Sequence, residues 1–217
     1  MLREDGVELT LVRHGEPVRG ADEARRFDPG LSERGRVEAA RVAEFLSGEE
    51  HDALYVSPLR RARETAEFVT ERTGLAPVVE DRIAEFDRRT GYTHFEELRT
   101  SGDPRYAAYL AGDLSPWRTT LEEFRAGILV AVEAIVGRHS GQRVLLVTHG
   151  GVENVFLADV LGIAGPAFHS PAYASVSRVL AGAEGRRTLR SINETGHLRD
   201  IDLPALHPGA RSATATS

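Results

Sequence analysis

Three short polar clusters in this 217-residue chain carry side chains suited to one chemistry. They are Arg13-His14-Gly15, Ser57-Pro58-Leu59-Arg60 and Thr148-His149-Gly150-Gly151. Two guanidiniums can grip the oxygens of a phosphate through planar, charge-assisted hydrogen bonds. An imidazole placed among them can attack phosphorus and hold a covalent phosphohistidine, while a second imidazole donates to the transferring oxygens. Arg60 falls in the first turn of an expected helix, where free backbone N–H groups and the helix dipole also favour an anion. Arg13, His14, Arg60 and His149 are far apart in sequence, so the fold must bring them together.

Each cluster follows a short apolar run: Leu9 to Val12, Ala53 to Val56 and Val144 to Val147. Continuous apolar strands of this kind suit a parallel sheet covered on both faces. The segments between them read as helices. Ser32 can cap a helix to about Leu46, with Val37, Ala40, Val42 and Phe45 available for burial. Ser57 and Pro58 read as N-cap and N1 of a helix ending near Thr73, with Gly74 as its stop. Thr120 and Glu123 form a capping box for a helix to about His139, along which Leu121, Phe124, Ile128, Ala131 and Ile135 make an apolar stripe. A further helix spans Gly151 to Leu161, stopped by Gly162. Tyr173 to Leu180 and Arg187 to Asn193 read as a hairpin around Ala181 to Gly185. The alternation predicts an α/β three-layer sandwich, a mainly parallel central sheet flanked by helices. Ligands of such sheets sit outside the carboxyl ends of the strands, where all three clusters fall. Residues 1–205 are expected to form one domain, and the tail 206–217, rich in Ala, Thr and Ser, to be disordered.

The string LVRHGE at Leu11 to Glu16 resembles the signature of the histidine phosphatase superfamily, in its phosphoglycerate mutase-like branch. DPGLSERGR at Asp28 to Arg36, SPLRRARETA at Ser57 to Ala66 and VTHGG at Val147 to Gly151 resemble further family segments in the same order. Ser175 to Leu180, Asn193 and His197-Leu198 resemble its closing strands. The ordered set carries far more weight than any one piece. The resemblance implies that His14 is the nucleophile, with Arg13, Arg60 and His149 forming the phosphate pocket and Gly15 and Gly150 binding substrate beside them. It also implies a carboxylic acid that protonates the leaving group; Glu85 is the first choice in Arg82 to Asp87, and Asp87 the reserve. An alkoxide leaves poorly unless protonated, and the same carboxylate can then activate water.

The implied activity is hydrolysis of a small-molecule phosphomonoester, without metal or other cofactor. One rival is a mutase of the same family, but Glu16-Pro17-Val18 lacks the Ser and Asn that mutases place after their histidine. Another is a phosphate-binding regulatory domain without turnover, against which stand the nucleophile, the arginines and the acid.

Composition sets outer limits. All 27 basic residues are arginine and the formal net charge is −6, which argues against nonspecific nucleic-acid or anionic-membrane binding. The absence of Cys excludes disulfides and thiolate chemistry. A short acidic N-terminus without an apolar core makes the cytoplasm the expected location. Oligomeric state is left open. His51, His139 and His207 read as surface or internally satisfied residues, whereas His94, His169 and His197 stay open. The runs Arg25-Arg26, Arg60-Arg61-Ala62-Arg63 and Arg186-Arg187 read mostly as solvated faces, from which Arg60 is promoted by its place after Ser57-Pro58, with Arg63 a second candidate one turn on. Gly91 to Thr119, with Tyr92, Tyr106, Tyr109 and Trp117, reads either as a lid or as a helical insertion with its own small core.

Overall fold

A computed structural model of the protein describes residues 6–19, 27–182, 185–199 and 201. Its strands are β1 (Val7–Arg13), β2 (Ala53–Val56), β3 (Pro77–Val79), β4 (Arg143–Thr148), β5 (Val176–Ala181) and β6 (Arg187–Glu194). Its helices are α1 (Glu33–Ser47), α2 (Arg60–Thr73), α3 (Phe95–Ser101), α4 (Pro104–Leu110), α5 (Leu121–Arg138) and α6 (Gly150–Leu161). The strands form one sheet in the order β3-β2-β4-β1-β5-β6. β3, β2, β4 and β1 run parallel, and β5 and β6 pair antiparallel at one side.

Side-chain alternation along the central strands makes two cores. Leu9 and Leu11 of β1, Val144 and Leu146 of β4 and Tyr55 of β2 face one side, where Ile128, Ala131 and Ile135 of α5 and Val155 and Phe156 of α6 cover them. Val12, Leu145, Val147, Leu54 and Val56 face the other side, beneath Val42, Ala43 and Leu46 of α1 and Ala62, Ala66 and Val69 of α2. These are the three expected layers. The tail expected at 206–217, and Ala183 and Glu184 of the expected hairpin turn, lie outside the described residues. Among the described residues no helix is long and apolar enough to cross a membrane.

The expected caps hold for α1 and α5. Ser32 accepts from Gly35 N, and Thr120 and Glu123 close a reciprocal capping box. Two local expectations need correction. Val37 is 51% exposed and Ala40 only half-buried, because the inward stripe of α1 runs through Gly35, Glu38, Ala39, Val42, Ala43 and Leu46. The start of α2 also moves: Leu59, not Ser57, is the N-cap residue, and it makes no side-chain cap. The Asp28 carboxylate takes that role from a distant loop, accepting from Arg60 N at 2.9 and 3.1 Å. Ser57 is thereby left for the site.

Candidate active site

β1, β4 and β2 end side by side. His14 N donates to Thr148 O, and Ser57 N donates to Val147 O, so the polar residues after the strands share one edge of the sheet. His14 is buried, and its Nδ1 lies 2.7 Å from Gly15 O. A carbonyl oxygen can only accept, so Nδ1 carries the proton and Nε2 keeps its lone pair. Arg61 Nε donates to that Nε2 at 3.2 Å. Burial, followed by the Arg61 and Arg13 charges, holds the imidazole well below its usual pKa, which keeps it neutral. A neutral imidazole with a fixed, inward lone pair is a nucleophile.

The turn that fixes His14 depends on a close backbone approach. A Cβ on Gly15 would stand 2.4 Å from Gly35 O, and one on Gly35 would stand 2.0 Å from Glu16 O. Gly15 N donates to Thr65 Oγ1 in α2. Gly15, expected among the substrate-binding residues, therefore orients His14 from behind.

The second arginine of the site is Arg61, and the expectation of Arg60 is corrected. The Arg60 side chain is 62% exposed, and its Nε pairs with Glu64 at 2.7 Å on the outside of α2. The Arg61 side chain is 1% exposed, pairs with Asp87 at 3.3 Å and lies over the Tyr92 ring at 4.5 Å. The cause is helical phase. One residue turns the helix by about 100°, and the inward stripe is Arg61, Ala62, Thr65, Ala66 and Val69. Adjacent residues of the run thus face opposite environments, and the apolar spacing of Ala62, Ala66 and Val69 is the sequence signal that selects Arg61.

His149 follows β4 and is fully buried, with its ring centroid 5.0 Å from that of His14. Its Nε2 meets Ser57 Oγ at 2.6 Å. Arg13 lies over the Tyr173 ring at 4.0 Å and donates to Pro171 O. Among the described residues His149 Nδ1, Arg13 Nε and Arg61 Nη1 are buried without a hydrogen-bond partner. Orphaned buried donors are costly, and the two guanidinium N–H groups beside His14, with His149 Nδ1 as a third donor in the tautomer that protonates it, complement an anion. Gly150 lines the cleft as the first residue of α6, where a Cβ would stand 3.4 Å from Arg13 Nε.

Both expected carboxyls reach the site, in different company. Glu85 accepts from Gly151 N at 2.8 Å and from Phe86 N at 3.1 Å. Burial, with the Asp87 charge next, raises its pKa to about 7. Burial also pushes Asp87 up, but Arg61 opposes this, and Asp87 further accepts from Thr93 N at 3.0 Å. Asp87 is thus engaged in holding Arg61, whereas among the described residues no cation is hydrogen-bonded to Glu85. Gly151 was not singled out from the sequence; a Cβ there would stand 2.2 Å from Glu85 Oε1, so the second glycine makes room for the acid.

Gly91 to Thr119 forms the expected side core and also contributes wall to the cleft. Leu98, Tyr109, Leu114 and Trp117 pack with Phe86 into a third core, while Tyr92, Phe95, Glu96 and Tyr106 also line the cleft. The cleft encloses about 690 Å³, within the ~300–1,000 Å³ of ordinary small-molecule sites. Of the histidines left open, His169 lines the cleft, whereas His197 stacks on Phe45 and bonds Ala174 O. His94 stands edge-on to Tyr92. His139 is satisfied by Tyr55 and Gln142. His51 is buried against Glu49, not at the surface. His207 lies outside the described residues. Among the described residues no group of three or more His, Asp or Glu side chains is placed to hold a metal ion.

The model of the histidine phosphatase superfamily, branch 1, matches residues 9–195. Phosphoserine phosphatase 1 of Hydrogenobacter thermophilus is 31% identical over 215 residues, which span 92% of this chain and 98% of that protein. Phosphoglycerate mutase-like protein 4 of Arabidopsis thaliana is 32% identical over 158 residues, 68% of each chain. A mycobacterial glucosyl-3-phosphoglycerate phosphatase superposes with a TM-score of 0.63 at 25% identity, over 87% of this chain and 99% of that one. The chain belongs to branch 1 of the histidine phosphatase superfamily and is a phosphatase of that family.

Proposed function

We propose that the protein hydrolyses small-molecule phosphomonoesters through a phosphohistidine on His14. The observation that carries this reading is the locked tautomer: Gly15 O holds the Nδ1 proton and leaves the Nε2 lone pair among the cations. Arg13, Arg61 and His149 receive the phosphoryl oxygens. His14 Nε2 attacks phosphorus as the bond to the leaving oxygen breaks, and Glu85 gives that oxygen its proton. The resulting Glu85 carboxylate takes a proton from water, the water oxygen attacks phosphorus, and His14 departs as neutral imidazole. Two arginines spread over the equatorial oxygens supply the electrostatic stabilisation that a metal provides elsewhere. Return of the phosphoryl group to the substrate, the mutase outcome, is not favoured by the phosphatases among the relatives.

Phosphate release from a panel of phosphomonoesters tests the reading. Turnover should persist in a strong chelator and fall with vanadate, which takes up the geometry of a transferring phosphoryl group. Loss on chelation, restored by a divalent ion, would replace this mechanism by metal-assisted hydrolysis.

A further inference from the structure

In a phosphomonoester bound with its phosphate at His14, the leaving group occupies the rest of the cleft. Among the described residues that line the cleft, the cations are Arg13 and Arg61, and both are drawn to the phosphate end. The remaining charges are carboxyls: Glu85, Asp87 and Glu96. Among the described residues Glu96 Oε2 is buried without a hydrogen-bond partner.

His169 adds a second acceptor, because its tautomer is fixed by Asn154. Asn154 Nδ2 donates to Gly150 O at 3.1 Å, and Asn154 Oδ1 accepts from His169 N at 3.2 Å. These two backbone partners settle which end of the amide is oxygen. That oxygen also lies 3.0 Å from His169 Nδ1, so Nδ1 must carry the ring proton. Nε2 is left as a lone-pair acceptor, and among the described residues it has no hydrogen-bond partner. Burial, with Arg13 behind it, lowers the ring to about 4, so the acceptor persists at neutral pH. Phe95, Tyr106, Leu110, Phe168 and Ile192 supply apolar wall to the same cleft.

We infer that the leaving group this cleft takes is an uncharged alcohol presenting hydrogen-bond donors, of the polyol or sugar kind, and not one bearing a carboxylate; the inference rests on the hydrolase reading of the same site. Hydroxyl donors satisfy His169 Nε2 and Glu96, and the C–H faces of a sugar suit aromatic and aliphatic walls. A carboxylate would meet the Glu96 carboxylate, while the two cations among the described lining residues, Arg13 and Arg61, flank His14 and take the phosphate; like charges brought together in a cleft are strongly disfavoured.

The experiment compares kcat/KM for glucose 6-phosphate, glycerol 1-phosphate, 3-phosphoglycerate, O-phosphoserine and 4-nitrophenyl phosphate in wild type, His169→Phe and Glu96→Gln. The neutral-alcohol esters should exceed both carboxylate-bearing esters by about tenfold or more. His169→Phe should lower the ratio of glucose 6-phosphate to 4-nitrophenyl phosphate by about tenfold. Glu96→Gln should raise 3-phosphoglycerate relative to glycerol 1-phosphate. Using ratios within each variant removes differences in folded fraction. Preference for 3-phosphoglycerate or phosphoserine overturns the inference and leaves the hydrolase intact, as do ratios unmoved by both substitutions. Failure of every ester, the aryl one included, strikes the hydrolase reading instead.

Discussion

At the phosphate end of the cleft, Arg13, His14, His149 and Arg61 lie just at or after a central strand or in the first turn of a helix that follows one. At the leaving-group end the wall comes from short helices, single 3-10 turns and the connection between α6 and β5. The first set is held by the sheet's own register: His14 N bonds Thr148 O, and Ser57 N bonds Val147 O. The second is held by a local cluster around Phe86, with Trp117 Nε1 donating to Thr93 Oγ1 and Tyr109 to Pro166 O. The contrast separates tasks: groups that need sub-ångström placement sit on strand ends, and groups that choose the substrate sit on segments free to vary.

The sharpest way to break this contrast is at Glu85, which serves both ends. Glu85→Gln should slow an alkyl phosphate by about 10²–10⁴-fold and an aryl phosphate much less, since a phenolate departs with little help. Asp87→Asn should show a smaller loss without that selectivity. Steady-state rates on both esters check this, and exchange of the two patterns would move the acid to Asp87. The protonation state gives a companion test. With a pKa of about 7, Glu85 is acidic below that value, so kcat on an alkyl ester should fall as pH rises through about 7. Glu85→Gln should flatten that limb.

A smaller effect distinguishes two neighbours in one helix. Arg61→Gln should cost about 10²–10³-fold in kcat/KM, the usual loss when one donor to a developing charge is removed. Arg60→Ala removes only an exposed pair with Glu64 and should cost less than about threefold. Equal losses would mean that the phase of α2 is wrong. At the leaving-group end, Tyr106→Ala should raise KM a few-fold for a bulky ester and leave kcat within about twofold, because it removes binding common to ground and transition states.

The smallest effect expected is on stability. Glu153 is buried one turn into α6 and reaches Ser177 Oγ only at 3.5 Å; burial raises it to about 8, with Arg13 opposing. A carboxyl whose folded pKa exceeds its unfolded one holds more protons when folded, so stability falls as pH rises from about 4.5 towards 8. Glu153→Gln should remove part of that fall, giving a Tm gain of a few degrees at pH 8 and little at pH 5. A gain at pH 5 equal to that at pH 8 would contradict the assignment.

The same contrast explains what could be read from the sequence. Continuous apolar strands, the Thr120–Glu123 box and Gly74 and Gly162 as helix stops are local signals, and each marks an element that forms. The strand-end rule then brings His14, Arg13 and His149 to one edge. Arg61 escaped because a run of arginines carries no phase unless the stripe of Ala62, Ala66 and Val69 is read with it. Ser57 escaped for a nonlocal reason: Asp28, far off in sequence, caps α2 and releases the serine to His149. Gly151 and the Asn154–His169 lock depend on contacts between segments, which no local pattern encodes.

The claim that His14 carries the phosphoryl group is tested most directly by rapid acid-free quenching with a radiolabelled phosphomonoester. Wild type should trap an alkali-stable, acid-labile label that peptide mapping places on His14, formed no more slowly than turnover. His14→Ala should trap none with either alkyl or aryl ester, and Glu85→Gln should still be labelled by the aryl ester. Label mapping to His149, or trapped label persisting in His14→Ala, would contradict the account.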